Sequence, residues 1–198
     1  MTTYSDIRYD MSLSSSATGV GGLVLLATET ASSSDTIDFT SKIDSLYKEY
    51  IFKFINVHPA TDAAELSFQA NAAGGSGFDE TITSTYFRAV HNEADTAATL
   101  SYDANRDQAQ ATGFQEIASD VGNENDQSTS GYLHLFNPSS TTFTKHFILR
   151  SSVYIADTGA RDQFVAGYFN TTSAIDEIQF KMSSGNIDAG TFKMYGVL

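Results

Sequence analysis

The sequence predicts an all-β protein: an antiparallel β-sandwich of jelly-roll type over residues 21–198, preceded by a short extended N-terminal arm over residues 1–20. Three observations predict it. From Gly22 onward, short apolar or alternating runs of strand length recur between clusters of Gly, Asn, Asp and Ser. Several of these runs alternate with period two, the signature of a strand with one face in a core. Fourteen Phe and ten Tyr, with no Trp, supply the large side chains for that core in a 198-residue chain that is 41% hydrophobic. Such a composition is globular, and the length suits a single folded unit after the arm.

Residues 1–20 are rich in Ser and Thr without sustained periodicity, which reads as an arm whose partner is another chain. Strand-like runs then fall at 23–28, 36–39, 50–57, 64–70, 85–91, 113–117, 132–136, 143–155, 163–169, 178–182 and 192–197. That number suits a sandwich or jelly roll. Residues 40–48 allow one helical turn, with Ser41 as its cap and Ile43 and Leu46 on one side. The run 50–57 is apolar on both faces apart from Lys53 and Asn56, as expected of a central strand covered on each side or joined to an interface. In 64–70, Ala64, Leu66, Phe68 and Ala70 share one face and Glu65, Ser67 and Gln69 the other, so this strand should be half-buried. Pro59 and Pro138 sit just beyond strand ends, where a missing N–H removes no ladder bond. The chain closes from Ile178, through a turn at Gly185 and Gly190, to Val197 as a hairpin of two paired strands. Its pattern sends Phe180, Met182, Phe192 and Met194 to the core and Gln179, Lys181 and Lys193 outward.

The formal charge of −13 arises from 24 acidic and 11 basic residues, with no run rich in Lys or Arg. Nucleic acid is not an expected partner, because phosphate binding needs a basic footprint. An acidic surface also repels anionic lipid while aiding solubility at high local density, which suits a protein packed in many copies. Residues 1–10 carry charge and lack an apolar segment, and the apolar run 23–27 is far too short to span a bilayer, so no membrane insertion is expected. The absence of Cys removes disulfides, thiolate metal sites and Cys nucleophiles.

Motifs that carry chemistry are weak. Gly74-Gly-Ser-Gly77 departs from the G-x-S-x-G nucleophile elbow and lacks the Lys of a phosphate loop, so residues 71–77 read as a Gly-rich connection. Of the four histidines (His58, His91, His134 and His146), two can meet: one register of the strands around Pro138 sets His134 opposite His146, and the other sets Leu133 there. No third zinc ligand accompanies them, so packed or surface histidines are favoured. The acidic segment 120–126 crowds side-chain oxygens around a Gly without the spacing of an EF-hand, and it reads, like 157–162, as a solvated loop. Glu116 and Glu177 read as solvent-facing members of alternating strands rather than a glycosidase pair. Tyr86, Phe87, Tyr102, Tyr132, Tyr154 and Tyr168 are available to the core or to stacking on a sugar or protein. No catalytic, cofactor-binding or metal-binding residue is assigned.

Two blocks carry a resemblance. One is Leu25-Leu-Ala-Thr-Glu-Thr through Thr40, followed by Ile43-Asp-Ser-Leu-Tyr-Lys-Glu-Tyr-Ile-Phe-Lys-Phe through Asp62; the other is the close, Ile178 to Val197, with its Gly-Thr-Phe-Lys-Met-Tyr-Gly ending. Together they resemble tailed-bacteriophage virion or tail-fibre-like proteins, frequent in marine phages, and the resemblance covers nearly all of the chain after residue 20. It implies a noncatalytic surface module of a phage particle, with other virion proteins as partners and no catalytic residues to transfer. A tail-fibre or adsorption role, self-association as a trimer and contact with a host surface glycan are the expectations. The rival expectations are a capsid decoration protein, a free carbohydrate-binding module using Tyr102 or Tyr154, and a polysaccharide hydrolase.

Overall fold

In a computed structural model, which describes residues 22–198, the chain is an all-β, antiparallel sandwich. Its strands are β1 (Leu23–Ser34), β2 (Thr36–Phe39), β3 (Glu49–Pro59), β4 (Ala64–Ala72), β5 (Ile82–Asn92), β6 (Ala98–Tyr102), β7 (Ala109–Ala111), β8 (Gln115–Val121), β9 (Thr129–Phe136), β10 (Lys145–Ile155), β11 (Gly159–Phe169), β12 (Ile175–Met182) and β13 (Ile187–Val197). A large layer runs in the order β1-β13-β3-β9-β10-β11-β5, with the short β6 and β7 on the far side of β5. A small layer runs β2-β12-β4-β8. The two join at one corner through the single pair Ile155 and Val121, which nearly closes the sandwich.

Period-two alternation explains how the large layer presents two different faces. In β10, Phe147, Leu149, Ser151, Val153 and Ile155 are buried, whereas His146, Ile148, Arg150 and Ser152 are exposed. Aromatic rings fill the gap between the layers: Phe39 meets Phe52 at 5.3 Å, Phe68 meets Phe147 at 5.2 Å, and Phe180 meets Phe192 at 5.2 Å. Offset and edge contacts of this kind add to the area that each ring removes from water. Gly131 in β9 makes room for one of them: a Cβ there would fall 2.5 Å from the Phe54 ring.

Under β8 the core changes from apolar to polar. Ser119 receives a hydrogen bond from the buried Gln163 amide (2.5 Å), and Ser151 donates to the Ile117 carbonyl (2.5 Å). The buried Gln115 side chain accepts from Ser84 (2.6 Å). These buried side chains thereby gain partners, as burial requires. At the mouth of this seam Arg106 pairs with Glu116 and reaches Asp103 at 3.3 Å, Arg88 reaches Asp103 at 3.1 Å, and Arg161 pairs with Asp120. These pairs tie β8 to β5 and β11.

Several expectations are corrected. The closing strands are not a hairpin: β12 pairs with β4 and β2, and β13 with β1 and β3, so the chain crosses from one layer to the other between them. Gly185 takes a φ of 65° in that crossing. The inward set Phe180, Met182, Phe192 and Met194 is correct, because facing strands of two layers share the alternation that a hairpin would show. No helical turn forms at 40–48; Ile43 is buried, Leu46 is 73% exposed, and the Asp44 N–H donates to the Tyr50 hydroxyl instead. Strand β4 is buried on both faces, since the Gln69 amide, aimed away from the core, donates to the carbonyls of Glu80 and Gly113 in covering loops. Conversely, β3 is covered by the small layer on one side, while Ile55 on its other side is 40% exposed. Strands β6 and β7 escape the sequence because they are short and fully exposed, with no buried face to impose a pattern. Pro59 is the last residue of β3 rather than lying beyond it. The arm, residues 1–20, lies outside the described residues.

Candidate functional site

The outer face of the large layer is built by the side chains that the core leaves out, and its register aligns them in rows across the strands. Residues paired across antiparallel strands share a face, so each row can be followed from strand to strand. One row contains Phe87, Phe164, Arg150, Tyr132, Lys53 and Lys193 on β5, β11, β10, β9, β3 and β13. Phe87 and Phe164 stack 4.9 Å apart and nearly parallel, and the Arg150 guanidinium lies 4.7 Å from the Phe164 ring. Arg150 is held to Asp162 by two hydrogen bonds, Nε to Oδ1 at 2.9 Å and Nη2 to Oδ2 at 2.6 Å. This forked geometry fixes both planes, and the partnership keeps the guanidinium pKa above its ordinary value, first through the hydrogen bond to Asp162 and then through the charge of that carboxylate.

On one side of this row the face is apolar. Ala166, Ile148, His134, Ile51, Tyr195 and Leu25 form the next row, of which Ile148 is 51% and Leu25 52% exposed. Beyond it stand His146, Tyr168 and Phe136, around a depression of about 460 Å³. On the other side the face is polar and low: Ala89, Asp162, Ser152 and Ser130 form one row, and His91, Ala160 and Tyr154 the next.

The histidine question resolves through the register. Leu135 pairs with Phe147 and His134 with Ile148, so neither expected pairing occurs. The loop around Pro138 continues to Thr144, which moves the start of β10 along its partner. His134 pairs instead with Glu49 and stacks edge-on with Tyr132, and His146 stands against Tyr168. Among the described residues, no group of three His, Asp or Glu side chains is placed to hold a metal ion. Of the acidic segment 120–126, Asp120 lies in β8 and is engaged by Arg161, and the Asn123 N–H donates to Asp62. Glu116 is not a simple solvent-facing residue: burial raises its pKa, against the opposing pull of Arg106. Glu177 accepts from the Asn71 amide at 2.9 Å.

The aromatic candidates divide. Tyr86 is entirely buried, and burial pushes its phenol up to about 12. Phe87, Tyr102 and Tyr132 are exposed, and Tyr154 and Tyr168 are half-buried on the outer face. The sequence pattern singled out neither Arg150 nor Phe164, and it read Asp162 as part of a solvated loop at 157–162, whereas residues 159–162 open strand β11. The signal that finds Arg150 is the strict alternation of residues 146–154, which puts His146, Ile148, Arg150, Ser152 and Tyr154 on one face; Asp162 and Phe164 reach it only through the pairing of β11 with β10. Comparison of the chain with protein-family models, with curated proteins and with solved structures returns no match.

Proposed function

We propose that the protein is a noncatalytic structural protein displayed on the surface of a bacteriophage virion, where it is held by protein contacts through the apolar half of its outer face. The observation that carries the docking part is the row Leu25, Tyr195, Ile51, His134 and Ile148, a largely apolar band across five strands whose ends, Leu25 and Ile148, are half exposed, with Ile51 buried and His134 paired with Glu49 between them. A continuous apolar patch on one sheet face marks a contact surface, whereas scattered apolar residues do not. Its partners in this reading are other virion proteins and further copies of the same chain, with a trimer as the expected state. The virion setting rests on the resemblance of residues 25–62 and 178–197, and that of the closing segment favours a tail-fibre or adsorption position over capsid decoration. The net charge of −13 suits dense packing of many copies in solution-facing positions.

The test is mass spectrometry of purified capsids and purified tails from particles of the encoding phage. Peptides of this chain should be found in the tail fraction. Peptides in the capsid fraction alone would replace the tail position with capsid decoration, and absence from both fractions would reject the virion reading.

A further inference from the structure

The polar half of the same face forms a trough. Its floor is the row Ala89, Asp162, Ser152 and Ser130 with Ala160 beside it, small side chains apart from Asp162, whose carboxylate is bonded to Arg150, in a strip across β5, β11, β10 and β9. One wall is the row of Phe164, Arg150 and Tyr132; the other is His91 and Tyr154. At about 3.3 Å per residue, two walls four residues apart along a strand stand roughly 13 Å from each other. Two depressions of about 500 and 440 Å³ share His91, Ser130, Ser152 and Ala160, so the trough is continuous.

We infer that this trough is a binding site for a neutral glycan chain, lying along the Ser152 and Ser130 row with Tyr132 and Tyr154 against its sugar rings. The chemistry matches in three respects. The Arg150 and Asp162 pair is planar and fixed, the guanidinium also bonds the Tyr132 side chain, and the remaining carboxylate lone pairs of Asp162 serve as acceptors. Adjacent sugar hydroxyls, each both donor and acceptor, complement such a pair, and the Ser152 hydroxyl extends it, whereas the Ser130 hydroxyl accepts from the Asn56 N–H at 2.9 Å. Tyr132, 37% exposed, and Tyr154 offer apolar ring surface beside polar tips.

Charge selects the class. Asp162 compensates Arg150, and Glu93 and Asp126 also line the trough. The Tyr154 phenol is held above its ordinary pKa by its hydrogen bond to Glu93, so it stays neutral. A sulfated, phosphorylated or sialylated ligand would therefore meet Asp162, Glu93 and Asp126 in the trough, where the two arginines that line it, Arg150 and Arg161, are each paired with a carboxylate. An extended peptide gains little here, because the trough crosses the middle of the layer, where β10 and β11 already pair on both sides and expose no free edge. The buried bonds of Ser151 and Gln163 behind the floor hold these strands, so the site is formed before a ligand arrives.

The inference concerns the isolated protein and does not depend on a virion location. The experiment is a glycan array probed with the full chain, carrying neutral gluco-, galacto- and manno-configured oligosaccharides beside sialylated and sulfated ones, followed by calorimetric titration of the best neutral hexasaccharide. Binding to a neutral oligosaccharide is expected. Tyr132→Ala and Asp162→Asn should each weaken it tenfold or more while leaving the melting temperature within a few degrees, and Tyr132→Phe should retain most of it. Tyr168→Ala, on the apolar half, should bind as the parent does. Binding only to anionic glycans, binding to none, or neutral binding indifferent to Tyr132→Ala and Asp162→Asn would each overturn the assignment. A glycan-binding protein missing from particles would reject the virion reading and leave this one standing.

Discussion

Tyr86 shows how one residue couples the core to pH. Its side chain is inaccessible to solvent beneath β8, with its hydroxyl 3.4 Å from the Ser119 hydroxyl, and burial raises its pKa from the ordinary phenol value near 10 to about 12. Below pH 10 the phenol is neutral in both folded and unfolded chains. Between pH 10 and 12 the unfolded chain loses the proton while the fold retains it, so stability falls as pH rises through this window. At about 1.36 kcal/mol per pH unit, the loss reaches about 2.7 kcal/mol. Tyr86→Phe should remove this contribution, so urea titrations at pH 9, 10 and 11 should show the gap between parent and variant shifting steadily in favour of the variant. A gap independent of pH would show that Tyr86 ionises freely. The sequence revealed Tyr86 as an aromatic in a strand, but the parity of β5 alone does not say that Tyr86 faces in and Phe87 out. The polar seam that surrounds Tyr86 is assembled from β8, β10 and β11, distant in sequence.

At the scale of elements, β12 and β13 illustrate how a correct pattern supports an incorrect pairing. Alternation identifies the inward residues of each strand, and the structure agrees at Phe180, Met182, Phe192 and Met194. Pairing partners depend on where the connection goes, and residues 183–186 carry the chain across the sandwich instead of back along the same layer. Phe192 consequently serves as a contact between layers, 5.2 Å from Phe180 and 6.5 Å from Phe54. Phe192→Asp would bury an unpaired carboxylate at this position and destroy the contact. The variant should be insoluble or unfolded, as read by circular dichroism and size-exclusion chromatography; a soluble variant with the parent's melting temperature would contradict the packing. The same logic explains β4, where the polar alternation partner Gln69 is buried by loops that no local pattern announces.

For the whole molecule, the outer face of the large layer is where the proposed contacts fall. Ile148 lies at the β10 end of the apolar band and is half exposed, so replacing it should spare the fold and, in the proposed reading, damage assembly. On the proposed self-association, the parent should be a trimer in light scattering at micromolar concentration, and Ile148→Asp should keep the parent's melting temperature within a few degrees while shifting the protein to monomer; a monomeric parent would reject the self-association. Unchanged oligomer mass would move the contact to another surface. By itself the sequence determined the class of fold, most strand positions and the inward residues of the long strands, because period-two alternation against a core is a local property. It also determined the acidic, cysteine-free character of the surface. Only the tertiary structure decided the layer to which each strand belongs, the register that separates His134 from His146, and the rows that bring Tyr132, Arg150, Asp162 and Tyr154 to one trough. Those outcomes depend on strand order and pairing between segments far apart in the chain, where loop paths and packing of rings between layers, rather than any local pattern, select the arrangement.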